Sequence, residues 1–218
     1  FAGGIHVQDV NVAYKCRIYD TLVVGNTNMG VCFSKGNSNP ADSGPGPKQM
    51  VNCIVRDNTR HGLWLGGTNN WISNCVVSGN GGVGVYGYNG YLRNCLISGN
   101  ASNGVLIHAN CQTALVSACT IVDNLAANEG AGVRVEATAP GLVQFSSCIV
   151  AGNGASGTND VYDATGNNAG ALQYSCAGDL AGFIGASNLV ADPQFKDASG
   201  GDYRLRYSSP CIDAGLYE

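Results

Sequence analysis

Short apolar runs broken by Asn, Gly and Ser recur along the chain, and three of them share one phrase. Residues 52 to 66 read NCIVRDNTRHGLWLG, 74 to 88 read NCVVSGNGGVGVYGY, and 94 to 108 read NCLISGNASNGVLIH. Apolar and polar positions alternate inside each run, which is the period of a strand with one buried face. The Gly and Asn residues between runs predict tight turns. Long amphipathic helical patterns are absent, so the chain reads as all-β, built from many short strands.

The phrase is a repeat. Its cysteines are Cys53, Cys75, Cys95, Cys119 and Cys148, with Cys176 as a further candidate, at steps of 22, 20, 24, 29 and 28 residues. Five residues after each of the first five comes Asn58, Asn80, Asn100, Asn124 and Asn153, and Thr21 with Asn26 fits the same frame one turn earlier. A second register runs through Gly4, Gly30, Gly62, Gly84, Gly104 and Gly132, each opening a strand. A variable period of about 20 to 30 residues, carrying strands and no helix, predicts a parallel β-helix, a solenoid whose stacked turns share one core. Six to seven coils at about 4.8 Å spacing would stand about 30 Å tall. The stacked Asn and Cys phrases resemble the right-handed parallel β-helix of the pectate-lyase-like superfamily over nearly the whole chain. Residues 1–158 read as coils and 159–218 as a last degenerate coil with a C-terminal cap, together one continuous domain.

Alternation assigns the faces. In NCLIS, Cys95 and Ile97 point inward while Leu96 and Ser98 point out. Cys is small and tolerates burial, so it can stack on its counterpart in the next coil. The Asn at the turn can take left-handed geometry and can hydrogen-bond backbone or its neighbour in a ladder, and the Gly of the next strand allows a close bend. Ile18, Met50, Ile72, Leu92, Val116 and Phe145, three residues before each ladder position, should fill the same core.

Composition narrows the partners. The 218 residues include 32 Gly, 11 Lys+Arg and 15 Asp+Glu, for a net charge of −4. No basic cluster suggests a nucleic-acid partner. No apolar run reaches the roughly 18 residues of a membrane span, so direct membrane insertion is not expected. The chain opens on Phe1 inside a strand-like GGIHV and reads as part of a larger protein. The cysteine ladder reads as buried free thiols. A zinc site would want a CxxC pair or clustered His, and neither occurs, so no metal or other cofactor is assigned, with calcium left open. Cys16, Cys32, Cys111 and Cys211 lie off the ladder, and a disulfide among them is one reading of a secreted fold.

The Gly register also predicts what faces solvent. The first outward row reads His6, Cys32, Trp64, Tyr86, Leu106, Arg134, and the second reads Gln8, Ser34, Gly66, Tyr88, His108, Glu136. An aromatic stripe on a solvent face suggests a binding surface, although such residues also favour strands for their own sake. Trp64, Tyr86 and Tyr88 could stack on sugar rings, with His108, Arg134 and Glu136 as polar partners. KGNSNPADSGPGPK (35 to 48) lengthens the second coil and could wall one side of the stripe. Polysaccharide lyases and hydrolases of the resembled superfamily work on such a face. A lyase needs a base and a cation beside the uronate, for which Tyr88 or His108 and Arg134 are the candidates. A hydrolase needs two facing carboxylates, and Glu136 has no clear partner. Asp57 and Asp123 hold equivalent turn positions, but Gly79 and Gly99 separate them.

The last stretch, ADPQFKDASGGDYRLRYSSPCIDAG, resembles the closing segment of secreted bacterial β-helix proteins. Its DPxF phrase is Asp192 to Phe195, and its DYRL and SPxIDAG phrases run from Asp202 to Gly215. The resemblance implies a cap wrapped over the end of the column, protecting unpaired backbone. Cys211 stands where a small apolar residue is usual, with Cys176 as a possible partner. The reading that follows is an extracellular or cell-surface scaffold or adhesive module of a bacterial protein, engaging polysaccharide on one parallel sheet. A uronate lyase using the same face, and a subunit that stacks end to end into a filament, are the alternatives.

Overall fold

A computed structural model describes residues 3–9, 16–35, 48–66, 69–87, 89–111, 113–137, 143–154, 159–166, 170–180, 183 and 185–216. Three parallel sheets run the length of a column, each taking one strand per coil. The first holds Ile5–Asp9, Val31–Lys35, Leu63–Leu65, Val85–Gly87, Val105–Ile107, Val133–Val135 and Val161–Asp163. The second holds Cys16–Tyr19, Lys48–Val51, Asn70–Ser73, Asn89–Arg93, Thr113–Ser117, Val143–Ser146 and Gly170–Gln173. The third runs from Leu22–Val24 through Ile54–Arg56, Val76–Ser78, Leu96–Ser98, Thr120–Val122, Ile149–Ala151 and Cys176–Ala177 to Leu189–Val190. Seven coils are therefore stacked, as the repeat predicts. The loop at 36–47, expected to wall the outward stripe, lies outside the described residues.

One apolar column fills the interior. Leu63, Val105 and Val133 come from the first sheet, Met50, Ile72 and Phe145 from the second, and Val55, Ile97 and Ile121 from the third. Each is flanked in its strand by a more exposed residue, as in the Leu63–Trp64–Leu65 strand, because side chains alternate across the sheet. No coil could bury its own apolar face; stacking seven does.

Between the second and third sheets each coil turns on a single left-handed residue. These are Asp20, Asn52, Asn74, Asn94, Ala118, Ser147 and Tyr174, with φ between 48° and 56°. The next residue points into the column: Cys53, Cys75, Cys95, Cys119 and Cys148, each donating its thiol to the carbonyl two residues back. Thr21 makes the same bond with its hydroxyl at 2.7 Å and Ser175 at 2.8 Å. Ser175, not Cys176, therefore completes the ladder, and the spacing-based placement of Cys176 in it is one residue out of register. Cys176 pairs with Ile149 and faces the outside of the third sheet.

The second turn of each coil carries the asparagines. Asn58, Asn80, Asn100 and Asn124 are essentially inaccessible and Asn153 is buried. Each amide Nδ2 donates to the Oδ1 of the next rung, at 2.8 to 2.9 Å from Asn26 through to Asn153, whose acceptor is Asp160. These asparagines do not use left-handed geometry. The residue before each of them does: Asp57, Gly79, Gly99, Asp123 and Gly152. The expected ladder is formed, while the expected left-handed geometry falls one residue earlier, because the ladder needs the Asn side chain turned inward.

The row of strand-opening glycines has a spatial cause, not a conformational one. A Cβ on Gly84 would lie 2.7 Å from Asn100 Nδ2, 2.7 Å from the Gly104 carbonyl oxygen and 2.8 Å from Ile97 Cγ2. Gly30, Gly62, Gly104 and Gly132 meet the same three kinds of atom in their next coils. None of these glycines has positive φ.

The closing segment departs from the expected end cap. Leu180 and Phe183 pack against the end of the core, with the Phe183 ring against Gly170 and edge-on to Phe145 at 5.9 Å. The DPxF and DYRL phrases instead form an antiparallel hairpin, Phe195–Asp197 with Asp202–Leu205, that folds back along the side of the third sheet. Tyr203 donates its hydroxyl to Asp123 at 2.7 Å, and the Leu216 N–H reaches Ser147 Oγ at 2.9 Å. Ser98, Val122 and Ala151 on the outer face of that sheet are buried. Ala151 and Phe195 line one cleft between sheet and hairpin, so burial of apolar surface favours this lateral seat.

Candidate functional site

The in-register first sheet puts His6, Cys32, Trp64, Tyr86, Leu106 and Arg134 in one outward line, extended by Tyr162. Trp64 and Tyr86 stack on each other, with ring centroids 4.4 Å apart and an interplanar angle of 15°. Each ring therefore gives one face to its neighbour. The indole also leans over Gly66, where a Cβ would sit 3.4 Å from Trp64 Nε1.

Imidazoles flank this pair on both sides. His108, in the second outward row, lies 5.8 Å from the Tyr86 ring and accepts the Asn110 N–H at Nδ1. His61, in the turn before Gly62, lies 5.8 Å from Trp64 and 5.5 Å from Tyr86. Its Nδ1 accepts the Val83 N–H at 3.0 Å, which leaves Nε2 to carry the proton of the neutral ring. Burial, helped by the Arg60 charge, lowers its pKa, so His61 is neutral at pH 7. Strand alternation could not find His61 because it sits in a turn; its only sequence signal is the HGL phrase.

Arg134 and Glu136 form an ion pair, Nε to Oε1 at 2.9 Å. The guanidinium also donates to the Glu129 carbonyl oxygen at 3.2 Å and lies over the Tyr162 ring at 5.5 Å. The charge proposed to neutralise a uronate is thus already balanced by a carboxylate. Tyr88 lies outside the described residues. Among the described residues no group of three or more His, Cys, Asp or Glu is placed to hold a metal ion.

None of the ten cysteines is in a disulfide. The bridge that was one reading of Cys16, Cys32, Cys111 and Cys211 is not formed: they sit on the second sheet, the first sheet, the turn before Thr113 and the closing segment. Burial pushes the Cys111 thiol up to about 11 and also raises Cys32.

A family model described as the right handed beta helix region matches residues 3–171. The chain belongs to the right-handed β-helix family. No curated protein and no solved structure matches it. Family membership establishes the column and its three sheets, and leaves the work of each face to be argued from side chains.

This β-helix carries a second aromatic row, which the Gly register does not predict. Trp71 and Tyr91, on the outer face of the second sheet, stack at 4.0 Å and 19°. They border a groove of about 540 Å³ together with Ser73, Ser117, Gln144 and Leu216. The signal was present, since both residues stand four positions before a ladder cysteine.

Proposed function

We propose that this β-helix is an extracellular scaffold, an adhesive module of a bacterial surface or secreted protein that engages polysaccharide along the outer face of its first sheet. The observation that carries the reading is the continuous His61–Trp64–Tyr86–His108 cluster on a rigid sheet. Aromatic groups with adjacent polar tips suit ligands that are apolar on one face and hydroxylated at the edge. A rise of about 4.8 Å per coil gives a straight, evenly stepped surface, which matches a linear polymer better than a compact ligand. The sheet is fixed by its core and ladders, so little ordering is needed on binding. The Arg134–Glu136 pair adds polar contacts beyond the rings without a net charge.

The test is a panel of neutral and acidic polysaccharides, followed for binding and for unsaturated or reducing-end products. Binding without turnover, weakened at least tenfold by Trp64→Ala, is expected. Product formation that disappears in His108→Ala would replace the adhesive reading with a lyase. Neither binding nor turnover would make the cluster packing alone and bring end-to-end assembly forward.

A further inference from the structure

Cys176 is the one cysteine of the third-sheet strands that faces outward, since it lies level with Ile149 while the ladder thiols face the core. It is nevertheless buried, at 3% exposure, under the closing segment. Its thiol donates to the Ala191 carbonyl oxygen at 3.3 Å, and the Cys211 side chain is its neighbour. Two further bonds fix Cys211 there. Ser209 Oγ donates to the Pro193 carbonyl oxygen at 2.6 Å and accepts the Cys211 N–H at 3.1 Å. The returning chain is thus tied two residues from the carbonyl that holds the Cys176 thiol. Ladder thiols bond carbonyls of their own and the preceding coil, whereas Cys176 reaches the closing segment. Cys211 is half-buried and so within reach of a small reagent.

We propose that Cys176 and Cys211 are a disulfide site that pins the closing segment to the side of the column. The reading is independent of the glycan proposal and stands or falls without it. The oxidant is a low-molecular-weight disulfide such as oxidised glutathione. The Cys211 thiolate attacks one glutathione sulfur, forming a mixed disulfide and releasing a glutathione thiolate. The Cys176 thiolate then attacks the Cys211 sulfur and releases the second glutathione. Two protein thiols lose two protons and two electrons, and one glutathione disulfide becomes two glutathiones. Burial and the neighbouring Cys211 push the Cys176 thiol up to about 12, so the second step quickens with rising pH.

The experiment incubates the folded chain with oxidised glutathione, alkylates it in denaturant and maps it with trypsin without reduction. Cleavage after Arg134, Lys196 and Arg206 puts Cys176 and Cys211 on separate peptides, 135–196 and 207–218. The expected result is that these peptides stay joined, the chain is two hydrogens lighter, and ten thiols fall to eight because one bridge removes two. Cys148 shares the first peptide, so Cys176→Ser is the control that must abolish the link, with the circular dichroism of the folded column retained. Glutathione remaining on Cys211, a bridge to any other cysteine, or a link that survives Cys176→Ser would each overturn the proposal.

Discussion

Removing one amide from the middle of the asparagine ladder should unfold this protein far more readily than removing one from its surface. Asn100 is fully buried and makes four ladder bonds. Its Oδ1 accepts the Asn80 N–H at 3.1 Å and Asn80 Nδ2 at 2.9 Å, while its Nδ2 donates to the Val77 carbonyl oxygen at 3.1 Å and to Asn124 Oδ1 at 2.9 Å. In Asn100→Ala the Asn124 Oδ1 keeps the Asn100 backbone N–H. The Asn80 N–H, one Asn80 amide hydrogen and the Val77 carbonyl lose these partners inside the column. At about 1–3 kcal/mol for each stranded buried group, less local relaxation and any entering water, the expected loss is about 3–5 kcal/mol. Asn94 provides the contrast. It is exposed, makes one side-chain bond, to Asn74 at 2.9 Å, and has φ of 50°. Asn94→Gly loses one solvated bond and gains backbone ease, so about 0.5 kcal/mol in either direction is expected. Equilibrium unfolding in urea measures both variants, with unchanged slopes required for the comparison. Equal losses would refute the ladder as a main source of stability.

Gly84→Ala must displace backbone as well as side chains, because the new Cβ meets the Gly104 carbonyl oxygen at 2.7 Å. We expect a loss of about 2–4 kcal/mol in thermal unfolding, and a loss below about 1 kcal/mol would mean that the coils separate easily. Asp160 ends the asparagine ladder as a buried carboxyl whose pKa is raised, by burial first and then by the Asp179 charge. A raised acid pKa gives stability that is complete below the unfolded value of about 3.9 and lost as pH rises through the folded value. Asp160→Asn keeps the oxygen that Asn153 needs, so it should raise the melting temperature at pH 7 and lose that advantage below about pH 4; a variant less stable at pH 7 contradicts this. Burial, with the Cys148 and Cys95 neighbours, raises the Cys119 thiol well above its ordinary value. A maleimide should therefore label half-buried Cys16, Cys32 and Cys211 in the native protein and reach the ladder only on unfolding. Native labelling of Cys119 at a comparable rate would show that the column opens.

Much of this was legible because a solenoid repeats its own evidence. Seven coils restate one rule, so the spacing of Cys53 to Cys148 fixed the inward positions, and the Gly register fixed the Trp64 and Tyr86 row. What the spacing could not reveal was which atom of each repeated residue did the work. The turn Asn, as at position 100, has the chemistry for both left-handed geometry and a ladder bond; it makes the ladder bond, and the left-handed residue stands one place earlier, as it does before each ladder cysteine, where Asn52, Asn74, Asn94, Ala118 and Ser147 hold that geometry. Ser175 escaped because a hydroxyl can make the bond of a ladder thiol, and Cys176 beside it attracted the assignment. His61 and the Trp71–Tyr91 row lie off the face that the Gly register defines. The closing segment was legible as a unit but not as to place, since docking on the side of the third sheet depends on contacts such as Tyr203 to Asp123, 80 residues apart.

The central functional claim assigns polysaccharide to the first sheet and not to the second, and each sheet carries a stacked aromatic pair. The most direct measurement is the affinity of Trp64→Ala and Trp71→Ala, side by side, for the polysaccharides that bind the unaltered chain. Trp64→Ala should lose at least tenfold while Trp71→Ala stays within about twofold, a difference of about 1 kcal/mol or more. Loss in Trp71→Ala with binding intact in Trp64→Ala would contradict the account and move the binding face to the second-sheet groove.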